Sequence, residues 1–270
     1  MKLLIAGSRS ILNYDLVAAE IDALLLNVST VVQGGAAGVD ELAKEYAVKN
    51  SIDYKQMDAE WELYGKKAGM LRNKQMATEC DNALIFWDGV SSGTQNMIEE
   101  LHELSKPYQV FKIEPTYNFD LNPDLDGKTH INIYSKGRTE LGKFLSNFSE
   151  CKIDTPEGKF NSIEGYWYYI STENTSLQKN LLRNLVGYQA KELGKKLTPI
   201  KDYVYTHEFQ EKIKTAINKK LTNNADLLKK LRETTLPLTH YYVWNNKVYL
   251  AGYYWIIQHL NSIRENQINI

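Results

Sequence analysis

Two groups of residues in this chain have the types and spacing to do chemistry. The first is a set of glycine turns: Gly7-Ser8-Arg9-Ser10, Gly34-Gly35-Ala36-Ala37-Gly38 and Gly89-Val90-Ser91-Ser92-Gly93-Thr94. Each follows an apolar stretch that reads as a buried strand, and the second and third each open a helix. Glycine lets a backbone approach a ligand closely and adopt positive φ. Free N–H groups at a helix start, with the helix dipole, favour an anion such as phosphate. Arg9 and Arg72 supply paired N–H donors for phosphate oxygens. One such turn is the ordinary chemistry of a tight strand-to-helix connection, whereas three at one sheet edge point to a binding site. Neither Gly-x-x-x-x-Gly-Lys-Ser/Thr nor Gly-x-Gly-x-x-Gly occurs, which excludes a P-loop NTPase and the common dinucleotide fingerprint.

The second group centres on Glu164, in Ser162-Ile163-Glu164-Gly165-Tyr166-Trp167-Tyr168-Tyr169, with Phe144-Leu145-Ser146-Asn147-Phe148 before it and Lys191 after it. A carboxylate among polar-tipped aromatics suits cleavage of an N-glycosidic bond. As the base leaves, ribose C1 becomes oxocarbenium-like, and a carboxylate can stabilise it, attack it or activate water. Asn147 can hold ribose hydroxyls, Lys191 can pair with a phosphate or leaving group, and aromatic faces can stack on a base. The same residues also have a structural reading, which stays open: Ser162 caps a helix, Glu164 sits near its dipole, and Tyr166, Trp167, Tyr169 and Ile170 form core.

These residues need elements to position them. Up to residue 115 the pattern alternates strand and helix. Leu3-Leu4-Ile5-Ala6, Thr30-Val31-Val32, a stretch near Tyr54 to Met57, Ala83 to Trp87 and Tyr108 to Phe111 read as strands. Asp15–Leu26, Val39–Lys49, Gly65–Glu79 and Thr94–Leu104 read as helices. This predicts an α/β, Rossmann-like, doubly wound parallel sheet, which binds ligands outside the carboxyl ends of its strands. Residues 116–127, with Asn118, Asn122, Pro123, Asp124, Asp126 and Gly127, read as a linker. Residues 128–270 read as a mainly helical, α+β domain, with strands at Ile131–Tyr134 and Tyr241–Trp244 and an aromatic helix from Gly165 to Ile170.

Bulk properties narrow the function classes. The chain has 270 residues and a net charge of -1, but the charge is uneven. Residues 1–115 hold 11 Lys+Arg against 17 Asp+Glu, which leaves 21 against 16 for residues 116–270. The basic second half fits a phosphate-rich ligand or DNA, although a solvated lysine-rich helix around Lys212 to Lys230 accounts for most of the excess. Cys80 and Cys151 match no metal spacing and suggest a reducing, cytoplasmic setting. No apolar run reaches the ~20 residues of a membrane span. His207, His240 and His259 lack metal-ligand spacing, and His102 and His130 read as surface or interdomain residues. No metal or cofactor is assigned.

The motifs also carry resemblances. Ala6-Gly7-Ser8-Arg9, Gly34 to Asp40, Asp58-Ala59-Glu60-Trp61, Tyr64 to Gly69, Arg72 to Met76, Trp87-Asp88-Gly89 and Ser92-Gly93-Thr94 resemble, in order, the YspA-like branch of the SLOG superfamily. The resemblance implies a nucleotide-type ligand held by Gly7, Ser8, Arg9, Gly34, Gly35, Gly38, Asp40, Arg72, Asn73, Gly93 and Thr94, and self-association into a homo-oligomer. Hydrolytic relatives carry Pro-Gly-Gly-x-Gly-Thr-x-x-Glu. Here the corresponding stretch, Asp88 to Asn96, has no glutamate at the catalytic position, so the resemblance favours binding in this half. Ile133-Tyr134-Ser135, Leu145 to Phe148, Ser162 to Tyr166 and Val186 to Gly194 resemble the NADAR (YbiA-like) family of N-glycosidases. That implies Glu164 as catalytic carboxylate, Asn147 and Lys191 shaping the site, and Tyr134, Ser146, Phe148 and Trp167 against the ligand. The expected activity is hydrolysis of an ADP-ribose-type substrate, including ADP-ribosylated guanine in DNA, in phage defence or counter-defence. The alternatives are a non-catalytic sensor or sponge for a signalling nucleotide and a glycosidase on riboflavin-pathway intermediates.

Overall fold

The computed structural model describes residues 1–24, 27–117, 119–173, 177–265 and 270. Leu25 and Leu26, expected to end the first helix, and Asn118 of the expected linker lie outside the described residues. The chain divides into two compact units, Met1–Asp120 with Gly252–Tyr254, and Leu121–Ala251 with Trp255–Ile270.

The first unit is built on a parallel sheet of β1 (Lys2–Gly7), β2 (Thr30–Gln33), β3 (Asp53–Gln56), β4 (Asn82–Trp87) and β5 (Tyr108–Lys112), in the order β3-β2-β1-β4-β5. Between the strands run α1 (Tyr14–Ala23), α2 (Val39–Lys49), the short α3 (Trp61–Tyr64), α4 (Ala68–Glu79) and α5 (Ser92–Glu103). Because side chains alternate along a strand, β1 serves two cores. Leu3 and Ile5 pack with Val17, Ile21, Val39 and Ala43, whereas Leu4 and Ala6 pack with Met76, Met97 and Leu101. This two-faced burial is why the central strands read as unbroken apolar runs rather than alternating ones.

The second unit is predominantly helical. In chain order it holds β6 (Ile131–Asn132), α6 (Glu140–Leu145), β7 (Ile153–Thr155), β8 (Gly158–Phe160), α7 (Ile163–Ile170), α8 (Gly187–Gly194), α9 (His207–Thr222), α10 (Ala225–Glu233), β9 (Leu238–Thr239), β10 (Tyr241–Trp244), β11 (Lys247–Leu250) and α11 (Tyr254–Arg264). Among the described residues its strands pair two by two: β6 with β9, β7 with β8 and β10 with β11.

Several expectations are corrected. The strand expected over Ile131–Tyr134 stops at Asn132, because Tyr134 enters a turn closed by the Gly137 N–H donating to the Tyr134 carbonyl at 2.8 Å. His130 is not a surface residue. It is fully buried, with Nε2 2.8 Å from the Tyr241 hydroxyl. Asp126 is buried and accepts from the N–H groups of Asn132 (2.9 Å) and Arg138 (2.6 Å). The lysine-rich stretch forms two helices rather than one. Lys212, Lys214, Lys229 and Lys230 are each ion-paired with a glutamate, so much of the local basic excess is neutralised in place.

Candidate functional site

In the first unit the carboxyl ends of β1 and β4 face a cavity of about 890 Å³. Two close approaches shape the adjoining loops. A side chain at Gly7 would bring its Cβ within 2.2 Å of the Phe86 carbonyl. Gly38, at φ +81°, lies so close to Arg9 that a Cβ there would be 2.6 Å from the Arg9 Cα. Both positions need glycine, because an added carbon meets backbone that cannot give way.

Of the residues expected to bind a ligand here, Gly7, Arg9, Asp40, Arg72, Asn73, Gly93 and Thr94 line the cavity. Gly34, Gly35 and Gly38 do not; Ala36 represents their loop at its wall. Ser8 is buried behind it, where its hydroxyl accepts from the Asp88 N–H at 3.1 Å and lies 3.4 Å from the Thr94 hydroxyl. Asp88 is likewise scaffolding. Burial pushes its carboxyl up, but donation from the Ser10 hydroxyl (2.6 Å) and from the Ser91 and Val90 N–H groups outweighs this and holds it below its ordinary value. Ser91 caps α5, its hydroxyl accepting from the Thr94 N–H.

Arg72 was expected to grip phosphate. Instead its Nη1 donates to the Gly34 carbonyl and lies 3.5 Å from that of Met57, while its Nε donates to Asn73 Oδ1 at 3.2 Å. Its other partner is Asp40, at 4.0 Å. Burial pushes the Asp40 carboxyl up to about 6, opposed by the Arg72 charge and by N–H groups of the Ala36, Gly34 and Gly7 main chain. Arg72 therefore ties the second glycine loop to α4 and balances a buried acid. Asn73 continues the brace, donating to the Gly93 carbonyl (3.1 Å) and to Asn96 Oδ1 (3.0 Å).

In the second unit Ser162 caps α7, its hydroxyl accepting from the Gly165 N–H at 3.0 Å. This accounts for the serine, and Glu164 lies in the first turn of the helix, near the positive end of its dipole. Among the described residues the Glu164 carboxylate accepts no hydrogen bond. Burial pushes it up to about 7, against the pull of Lys191. The Glu164 N–H donates to the Asn147 carbonyl at 2.9 Å, which fixes the two expected site residues side by side. The Lys191 ammonium lies 5.5 Å from the centre of the Phe148 ring. It also acts electrostatically on His240, whose imidazole burial and that charge together push down to about 4. Burial and the charge of Glu164 raise the Tyr168 phenol to about 12. Lys191 thus acts electrostatically on both Glu164 and His240.

Three expected residues fall outside this group. Trp167 packs edge-on against Phe209 (4.6 Å) and stacks parallel to Trp255 (6.3 Å), so its ring serves the core. Ser146 is buried, its carbonyl accepting from the buried Lys220 ammonium at 2.8 Å. Tyr134 is half-buried in its turn, and no described contact joins its side chain to Glu164. Sequence reasoning gave no role to His240, noted only for lacking metal-ligand spacing, nor to Trp61, Lys66, Met70 and Glu99, which line the first-unit cavity. Trp61 and Lys66 lie within segments quoted for their family pattern, and that pattern was the available signal.

Parts of the chain are similar to known proteins. The family model of the YspA, cpYpsA-related SLOG family matches residues 1–64. The chain is 35% identical over 91 residues to the Gene 61 protein of Mycobacterium phage D29, covering 32% of this chain and 73% of that protein. The solved structure of the E. coli protein YbiA is similar at a TM-score of 0.40 and 18% identity, covering 52% of this chain and 84% of that one.

Proposed function

The N-terminal part of the chain belongs to the YspA, cpYpsA-related SLOG family, and from that premise we propose that the first unit binds a nucleotide-derived ligand while the second hydrolyses an N-glycosidic bond of an ADP-ribose-type substrate. The observation that carries the catalytic half is the state of Glu164. A carboxyl that accepts no hydrogen bond among the described residues, raised to about 7 by burial and opposed by the charge of Lys191, has the perturbed character common among groups that serve chemistry. The motif around it resembles that of N-glycosidases.

In the reaction the C1–N bond breaks, water adds its oxygen to C1, and a proton goes to the departing nitrogen. Glu164 faces C1, as nucleophile, as electrostatic stabiliser or as base toward water. Asn147, tied to Glu164 through the main chain, orients the ribose. Lys191 holds negative charge on the phosphate or leaving group. ADP-ribosylated guanine in DNA is the substrate to try first, and a small ADP-ribose derivative is the second.

The test is chromatographic. Wild type and Glu164→Gln are incubated with an ADP-ribosylated guanine oligonucleotide, with NAD and with ADP-ribose, and released products are quantified. Release by wild type and not by Glu164→Gln is expected. Equal release by both would remove Glu164 from the chemistry. Release from none would move the weight to a binding protein that senses or sequesters a nucleotide.

A further inference from the structure

The α3–α4 stretch forms a wall of the first-unit cavity that the preceding reading leaves idle. Trp61 lines the cavity and is 54% exposed, so its indole presents uncovered surface to the space in front of it. Met70, 55% exposed, shares that wall. Gly69 lies against the ring: a Cβ there would be 3.2 Å from Trp61 Cη2, so a larger residue would press on the indole. The polar groups of the cavity differ in commitment. Arg72 is held by Gly34, Asn73 and Asp40. Arg9 and Lys66 are exposed, and neither makes an ion pair among the described residues. Glu99 adds an exposed carboxylate acceptor at the wall.

An aromatic platform, two uncommitted cations and a carboxylate are complementary to a planar base, a phosphate and a ribose diol. The volume of about 890 Å³ lies toward the upper part of the range for small-molecule sites, roughly 300–1,000 Å³, so all three parts fit together. We propose that Trp61 is the stacking platform for the base of a purine nucleoside phosphate, with Lys66 and Arg9 taking the phosphate. This rests on the nucleotide reading of the first unit and adds the element that selects the base. A purine is favoured over a pyrimidine because its larger ring system covers more of the indole.

Calorimetric titration of the full chain with AMP and with ribose 5-phosphate tests it, using wild type, Trp61→Ala, Trp61→Phe and Arg9→Ala. Stacking is worth about 1–3 kcal/mol per base, so Trp61→Ala should weaken AMP about 5- to 150-fold and leave ribose 5-phosphate unchanged. Trp61→Phe should restore most of the AMP affinity, and Arg9→Ala should weaken both ligands. If AMP binds wild type, weakens with Arg9→Ala and ignores Trp61→Ala, the nucleotide reading stands and the platform is refuted. If Trp61→Ala weakens both ligands equally, or changes the sedimenting mass of the protein, the ring has a different role and the proposal falls. If neither ligand binds wild type, the nucleotide reading fails and takes the platform with it.

Discussion

Replacing Glu164 with glutamine should stabilise the protein at neutral pH while abolishing turnover, and the gain should vanish in acid. The folded protein holds this carboxyl at about 7 instead of 4.5 because burial disfavours its charge. Below pH 4.5 the group is protonated in both folded and unfolded chains and contributes nothing. Between 4.5 and 7 the unfolded chain releases the proton and the folded chain keeps it, so stability falls as pH rises. Above 7 the folded chain carries the buried charge at full penalty, about 3 kcal/mol at 1.36 kcal/mol per pH unit. Glutamine fills the same space with no charge to ionise. Denaturant titrations of wild type and Glu164→Gln at pH 5, 6, 7 and 8 remove the contribution of every other group by difference. That difference should grow in favour of the variant by about 2.5 kcal/mol from pH 5 to pH 8. A difference that stays flat would mean that the carboxyl titrates normally and that the burial argument is wrong. The same proton separates the catalytic roles. Turnover that rises through about pH 7 requires the ionised form, as nucleophile, stabiliser or base, whereas turnover that falls there makes Glu164 an acid.

Three more outcomes follow from the contacts. Lys191→Met should push Glu164 above 7 and let His240 rise from about 4, since Lys191 lowers both; carbon-detected NMR titration of the two side chains reads this directly. Arg72→Ala leaves Asp40 buried without its cation and frees the Gly34 carbonyl, which should destabilise the first unit by about 3 kcal/mol. Asp40→Asn in the same chain should recover part of that loss in a thermal melt. Gly7→Ala forces a methyl to within 2.2 Å of the Phe86 carbonyl, so β1 must separate from β4; hydrogen exchange should show lost protection along Leu3–Gly7, while an alanine at the uncrowded Gly93 should not.

The sheet was legible because burial on both faces leaves its strands as apolar runs, and because its turns carry glycines that the backbone cannot replace. The second unit was less legible for physical reasons. Its β6, β7, β8 and β9 span two or three residues each, too few to show a period. The β10–β11 hairpin went unread because its turn is Asn245-Asn246, with both residues at positive φ, 48° and 57°, where Asn-Gly is the usual marker. His130 could not be placed from sequence either, since the Tyr241 hydroxyl that satisfies it lies 111 residues away.

The arginines of the first unit show where composition stops and structure begins. In sequence Arg9 and Arg72 carry the same expectation, each a cation with paired donors for phosphate oxygens. In the fold they differ in whether their donors are free. Arg72 reaches a carbonyl 38 residues away and a buried acid, so its charge is answered within the protein. Arg9 is exposed on the cavity wall with no ion pair among the described residues. A side chain whose Nε and Nη1 are taken by the protein, as in Arg72, chiefly gives stability, and an exposed one with no ion pair among the described residues, as in Arg9, chiefly gives affinity. Arg9→Ala should therefore change stability by less than about 0.5 kcal/mol and weaken anionic ligands markedly. Arg72→Ala should do the reverse in order, unfolding the loop first and losing the ligand as a consequence. A ligand titration in which both variants lose affinity with no change in melting temperature would contradict that division.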